Sequence, residues 1–206
     1  MAASNPFELE EIAATYDRWY ETPLGAFAEQ QELAALRQLV HGLPRERPIV
    51  EIGAGTGRVA AWLVREAGFP VIAVEPSAAM RRIGERRTRG LSVQWIAAHA
   101  ALLPFADHSH AGVLFFATLE FVPEPQRALR EALRVLEPGG KLLIGFLHAH
   151  SPWAALYCWL GRRGEVPWAQ ARFYTPEELE EFLGLPAEGR AEALFCAPGA
   201  REPFEE

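Results

Sequence analysis

Between Val50 and Arg58 the chain reads Val-Glu-Ile-Gly-Ala-Gly-Thr-Gly-Arg, with glycine at three alternate positions. Glycines at the carboxyl edge of an open α/β sheet let the backbone come close to a ligand. Two details narrow what that ligand is. A dinucleotide fingerprint would place Gly where Arg58 stands, and a P-loop would continue into Gly-Lys-Ser/Thr, which is absent. The GxGxG spacing therefore suits a nucleoside better than a pyrophosphate cradle. About 20 residues further on, Glu75 ends the next apolar run, at the distance where dinucleotide sites place an acid on the ribose hydroxyls. Pro76 and Ser77 open a helix after it, and Met80 falls where it could cover one face of a base.

Such a loop needs strands and helices to hold it, and the chain supplies them in alternation. Pro48–Ile52, Val71–Val74, Ser92–Ala97, Val113–Phe116 and Lys141–Leu147 read as strands. Between them Val59–Ala67, Ser77–Thr88 and Gln126–Leu136 read as helices, and Glu137-Pro138-Gly139-Gly140 as a turn. Continuous apolar strands separated by helices predict a mostly parallel sheet covered on both faces. Two helical segments precede it, Phe7–Tyr20 and Leu24–Val40, broken at Thr22-Pro23. After Ser151 comes an aromatic-rich insert, then a helix capped by Thr175-Pro176-Glu177-Glu178 and a final strand at Ala193–Ala197. The expected fold is one α/β domain with a helical N-terminal addition. Its parts are N-terminal helices (1–44), a cofactor-binding core (45–150), an aromatic lid insert (151–175) and a C-terminal helix and strand (176–206).

Composition excludes several classes of function. A length of 206 residues suits one core, and 50% hydrophobic content is too high for a disordered tail. A formal charge of −7 argues against a nucleic-acid partner, which wants a basic face. No apolar run approaches the ~20 residues of a membrane helix, and the start of the chain lacks a secretory pattern. Cys158 and Cys196 are far apart, so neither a disulfide framework nor a zinc ribbon is expected. A cytoplasmic protein is the expectation. The charges themselves are uneven: Lys141 is the only Lys, and Asp17 and Asp107 are the only Asp.

The runs VEIGAGTGR, VIAVEPSAAM, ALLPFADHSHAGVLFFATLEFV and REALRVLEPGGKLLIGF resemble class I S-adenosylmethionine-dependent methyltransferases. More narrowly, the chain is similar to the ubiquinone/menaquinone-biosynthesis-like group with a methyltransferase type 11 domain. YDRWYETPLG, SPWAALY and ARFYTPEEL also resemble members of that group, so the likeness extends over roughly positions 12 to 183. It implies a Rossmann-like seven-stranded sheet in the order 3-2-1-4-5-7-6, with strand seven antiparallel, and S-adenosylmethionine as cofactor. By that resemblance Gly53, Ala54, Gly55, Thr56 and Gly57 would pass under the methionine part, and Glu51 would lie near its amino group. Glu75, followed by Pro76, would hold the ribose, and Met80 would pack on adenine, with His99 and Ala100 flanking it. Phe115 and Phe116 would sit beside the methionyl chain, and Tyr16 would close the site from the N-terminal side. The chain departs from the family at His99, where members commonly have an Asp facing the adenine amino group. Ala111 stands where an Asp commonly precedes strand four, and Ala117 and Phe121 replace frequent histidines.

The implied reaction is in-line displacement at a sulfonium methyl group, with a small, partly apolar metabolite as acceptor. A non-catalytic binding protein is the alternative, and an NAD(P) oxidoreductase is disfavoured by Arg58. No catalytic residue is assigned; Glu120, Tyr16 and His148 occupy positions open to a general base. Trp19, Glu120, His148, Trp153 and Arg172 are candidates for contact with the acceptor. Arg172 has two open roles, pairing with an acid of the fold or holding an anionic group. Trp153, Leu156, Tyr157, Trp159 and Leu160 place apolar side chains on more than one face of a helix, which must meet either core or an apolar ligand. His108–His110 and His148–His150 are read as surface-loop histidines, because a metal site needs further ligands that no other cluster supplies. Arg81, Arg82, Arg86, Arg87 and Arg89 are read as a solvated face.

Overall fold

Each expected strand in the core forms, and each pairs in parallel with its neighbours. The computed structural model describes residues 5–193 and 196–201. In chain order the elements are α1 (Glu10–Tyr16), α2 (Pro23–Leu39), β1 (Ile49–Ile52), α3 (Arg58–Trp62), β2 (Val71–Val74), α4 (Ala78–Arg87) and β3 (Val93–Ile96). They continue with β4 (His110–Phe116), α5 (Pro125–Val135), β5 (Leu136–Gly145), α6 (Pro152–Arg162) and α7 (Pro176–Leu183). The sheet order is β3-β2-β1-β4-β5, with every pairing parallel. This is an α/β Rossmann-like arrangement, and its five strands follow the first five places of the expected seven-strand order. Of the expected final strand, Leu194 and Phe195 lie outside the described residues, and no strand is formed at Ala193, Cys196 or Ala197.

Strand alternation divides the interior into two layers. Val50, Ile52, Val113 and Phe115 pack with Ala128, Leu129, Ala132 and Val135 of α5 and with Tyr174 and Leu179. Ile49, Val71, Ala73 and Leu114 pack with Leu36 of α2 and with Ala60 and Leu63. Helix starts are fixed by side-chain caps: Thr22 accepts from Gly25, Ser77 from Met80, Ser151 from Ala154, and Thr175 with Glu178 forms a capping box. Close approach of α4 to β3 depends on Gly84, where an added Cβ would lie 2.2 Å from the Trp95 ring. The Trp95 indole N–H donates to the Thr88 hydroxyl at 2.9 Å.

Four local readings are corrected. Strand β4 starts at His110, which is buried against the Phe105 ring with centroids 4.6 Å apart, so it is not a surface-loop residue. Burial, then the nearby Arg47, holds its imidazole below the ordinary value. Ala111 lies inside β4 rather than before it, and its residue pair Gly112↔Ile49 puts it at the end of the sheet away from the glycine loop. Strand β5 begins at Leu136, through the expected turn, with a register irregularity between His110 and Gly112 on its partner. The ordered α-helix of α3 is also shorter than Val59–Ala67, because Leu63–Ala67 is wound as a π-turn. At the same far end of the sheet, Lys141 donates to the carbonyl of His41 at 2.8 Å.

Candidate functional site

The glycine loop leaves β1 at its carboxyl end, and its three glycines serve three purposes. Gly53 takes φ +74°, and a Cβ there would strike Thr118 at 2.1 Å. Gly57 takes φ +73°, and a Cβ there would meet Trp95 at 2.9 Å and Gly84 at 3.2 Å. Gly55, at φ +53°, has nothing within 4 Å of the position of its missing Cβ. The two outer glycines therefore let the loop pack on protein, while the middle one faces open space that a ligand would occupy. Ala54 is buried in the core beneath.

Glu75 anchors this loop. One carboxylate oxygen accepts the Gly55 N–H at 2.9 Å and the other accepts the Ser77 N–H at 2.8 Å. Burial raises the carboxyl above the ordinary value, opposed by these two bonds and by Arg81 and His99. A carboxylate has about four acceptor positions, so capacity for ligand hydroxyls remains. His99 is exposed, with Ala100 half-buried beside it. Glu51, 3% exposed at the centre of β1, leaves its Oε2 buried without a hydrogen-bond partner. Burial, with Glu75 adding, pushes it up to about 8.

The N-terminal segment forms a roof fastened to the loop. Thr56 donates its hydroxyl to Asp17 at 2.8 Å, and Arg87 pairs with the same aspartate at 2.6 Å while also bonding the Thr56 carbonyl. Arg58 makes a forked pair with Glu29 of α2 and lies 4.3 Å over the Tyr20 ring. Arg81 donates to the carbonyls of Glu75 and Pro76 at 2.6 and 2.8 Å. Arg81 and Arg87 are thus structural ties, not part of a solvated face; of that group, Arg82, Arg86 and Arg89 are exposed. Met80 is buried with Ala13 and Ala79 and packs on Phe7 and Tyr16.

Beginning at Tyr20 and Tyr16 of this roof, ring contacts run from residue to residue around a circuit. Tyr20 meets Tyr16 with centroids 6.0 Å apart, and Tyr16 meets Phe7 at 6.0 Å. Phe7 meets Phe121 at 5.0 Å, and Phe121 meets Trp168 at 5.9 Å. Trp168 stacks on Tyr157 at 3.6 Å, Tyr157 meets Trp153 at 5.9 Å, and Trp153 meets Trp19 at 5.5 Å. Trp19 precedes Tyr20, which closes the circuit. The Trp153 indole N–H donates to the Cys196 carbonyl at 3.0 Å.

Two carboxyls accompany these rings, Glu120 next to Phe121 in the chain and Glu32 on α2. Glu120 follows β4 in a short turn and is 2% exposed; its Oε1 accepts the Leu147 N–H at 2.8 Å and its Oε2 has no partner. Burial pushes it up to about 7. Glu32 occupies the inward stripe of α2 with Gly25, Ala28 and Leu36, and burial, then Glu29 and Glu120, pushes it up to about 7. Its field reaches Tyr16, Tyr20 and Tyr157. Among the described residues, none of Glu32, Glu51, Glu75 and Glu120 takes part in a salt bridge.

Sequence reasoning missed Glu32, Asp17 and Thr118. Glu32 carried a usable signal, a carboxylate four residues from both Ala28 and Leu36 on a buried stripe. Thr118 donates to the Gly53 carbonyl at 3.2 Å, and Ala117 before it adopts φ +48°, an unusual conformation outside glycine. Two acceptor candidates have partners within the fold. The Arg172 guanidinium pairs with Glu178 at 3.3 Å and lies 5.1 Å over Tyr174, as in the first of its two expected roles. His148 is exposed and faces His150, whose N–H it accepts at 3.1 Å. Phe115 is wholly buried and Phe116 half-buried at the end of β4. Among the described residues, no group of three His, Cys, Asp or Glu is placed to hold a metal ion, and no helix is long and apolar enough to cross a membrane.

A methyltransferase-domain family model matches residues 50–144, the segment from β1 through β5. A solved structure from Thermotoga maritima, described as a SAM-dependent methyltransferase and possible histamine N-methyltransferase, is 34% identical with a TM-score of 0.73. The match covers 86% of this chain and 78% of that one. An uncharacterised protein of Mycobacterium tuberculosis is 40% identical over 171 residues, 83% of this chain and 56% of its own length. A demethylmenaquinone methyltransferase of Renibacterium salmoninarum is 38% identical over 120 residues, 57% of this chain and 49% of that protein. The chain spans about half the length of these curated relatives. With its fold, glycine loop and extended likeness, the chain belongs to the S-adenosylmethionine-dependent methyltransferases.

Proposed function

We propose that this chain transfers the methyl group of S-adenosylmethionine to a small, partly apolar metabolite by in-line displacement. The observation that carries the reading is the orphaned Glu51 Oε2, which feels the charge of Glu75, the carboxylate that clasps Gly55 of the loop. A buried carboxylate without a partner is costly, and a ligand ammonium at that point would relieve the cost. The cofactor supplies a cationic methyl donor whose thioether is a good leaving group. What this chain does is bind, orient and exclude water. Gly53, Ala54, Gly55, Thr56 and Gly57 would cradle the methionine part, with Phe115 and Phe116 beside it. Glu75 and Pro76 would take the ribose, and His99, Ala100 and Met80 the adenine. Met80 does so from its cluster with Tyr16, so base binding and roof closure act on one side chain. The aromatic circuit, through Trp19 and Trp153, supports an apolar acceptor next to Glu120.

The names of relatives support a small-molecule acceptor, since the Renibacterium protein is a demethylmenaquinone methyltransferase and the Thermotoga structure a possible histamine N-methyltransferase. Calorimetry with S-adenosylhomocysteine tests the cofactor. Micromolar binding, abolished in E75A, is the expected result. A thermal shift with NAD and none with S-adenosylhomocysteine would overturn the reading.

A further inference from the structure

Among the described residues, four buried or half-buried carboxyls, Glu32, Glu51, Glu75 and Glu120, form no salt bridge. Resting on the cofactor reading above, Glu51 and Glu75 are used by the ammonium and ribose of the bound nucleoside. Glu32 and Glu120 are left over. The arginines nearby are already committed: Arg58 to Glu29 and Tyr20, Arg87 to Asp17 and Thr56, Arg81 to two carbonyls. Burying an anion costs several kcal/mol unless something positive accompanies it, and Glu120 keeps one oxygen unpartnered while 98% hidden, its exposure being 2%. Aromatic rings beside the carboxyls suit positive charge, because a Trp or Tyr face left free by its neighbours attracts a cation within about 6 Å. Trp153, Tyr157 and Trp168 form one continuous side of the circuit. A neutral phenol or quinol would leave the ionised form of either carboxyl without a counter-charge, and an acid would be repelled by it.

We propose that the methyl acceptor is a small amine that enters as an ammonium ion, its charge met by Glu32 and Glu120 inside the aromatic circuit. One ammonium N–H proton passes to the unpartnered Glu120 oxygen. The nitrogen lone pair freed in this way attacks the methyl carbon while the carbon–sulfur bond breaks, its electron pair staying on sulfur. The products are the N-methylammonium ion and S-adenosylhomocysteine, and the proton on Glu120 leaves to water. Charge and atoms balance, and no further reagent is needed.

The test uses the full chain saturated with S-adenosylhomocysteine and three matched probes: phenethylamine, 2-phenylethanol and phenylacetate. Calorimetry is expected to give phenethylamine at least roughly tenfold tighter than 2-phenylethanol, a gap typical of a charge-assisted contact, with phenylacetate silent. E32Q and E120Q are each expected to erase that preference, and their melting curves report whether they fold. E32Q, on a half-buried position, keeps the test open should E120Q fail to fold. Equal or tighter binding of the alcohol, an amine preference unchanged in the folded variants, or silence of all three probes at millimolar concentration overturns the proposal. Failure to bind S-adenosylhomocysteine is a different result: it removes the cofactor reading and this inference with it.

Discussion

Glu75 Oε2 and the backbone N–H of Gly55 lie 2.9 Å apart, so the acid at the end of β2 is also the clasp of the loop that follows β1. The carboxylate assigned to the ribose thereby sets the shape of the loop assigned to the methionine part. Replacing it acts on both. E75Q turns one acceptor into a donor facing an N–H, and an unsatisfied buried group costs about 1–3 kcal/mol. The expected outcome is a lower melting temperature and S-adenosylhomocysteine affinity reduced at least roughly tenfold, read by scanning calorimetry and titration.

The glycines separate packing from binding. G57A adds a Cβ 2.9 Å from Trp95 at a left-handed residue, and G55A adds one where nothing lies within 4 Å, also at positive φ. Strain at a left-handed position costs about 1–2 kcal/mol in either case. Stability is expected to fall further in G57A, whereas the ratio of lost affinity to lost stability is expected to be larger in G55A. Equal ratios would contradict an open ligand face at Gly55.

Buried carboxyls set the pH profile of the free protein. Glu51 is raised to about 8, and Glu32 and Glu120 to about 7. The folded chain therefore holds protons that the unfolded chain has already released. Unfolding free energy falls as pH climbs from about 4.5 to about 8. On the acid side Glu131, held at about 2 first by its bond to Arg134, contributes stability that is lost as pH drops from about 4.5 toward that value. The melting temperature is expected to peak near pH 5 and decline steadily toward about pH 8.5. An ammonium docked on Glu51 would favour the carboxylate, so binding of S-adenosylhomocysteine near pH 7 is expected to release protons. Titrations in phosphate and Tris buffers, which differ in ionisation enthalpy, measure that release.

Ala117 takes φ +48° at the mouth of the site, where a residue with a Cβ is strained. A117G removes that strain, at the cost of a more flexible unfolded chain. A net gain of roughly 0.5–1 kcal/mol is expected, measured by denaturant unfolding.

Asp17 holds Thr56 and Arg87 at once, which makes it the bolt between roof and loop. D17A frees both partners. Limited proteolysis before Tyr20 is expected to accelerate, and S-adenosylhomocysteine affinity to drop, while cleavage elsewhere stays unchanged.

The loop, its acid and the strands were legible because they are written locally: consecutive apolar residues, glycines at fixed offsets, an acid at the end of the next strand; the strand order came from the family likeness alone. The Thr175 capping box was readable for the same reason. Asp17 was not, since it acquires its role from a partner far along the chain, Thr56, 39 residues away. Arg87 looked like one of a solvated set because helical spacing does not reveal that α4 turns it toward the loop. The polar string around His110 concealed a strand start, where packing on Phe105 overrode local character.

Lys141 has a practical consequence. It is the only lysine in the chain, and its amine rests on the His41 carbonyl at the end of the sheet opposite the glycine loop. A reagent directed at lysine side chains has a single address, remote from both the nucleoside pocket and the aromatic circuit. A fluorophore or a surface tether placed there would leave the mouth of the site turned away from the support, and the chemistry could be watched on oriented molecules.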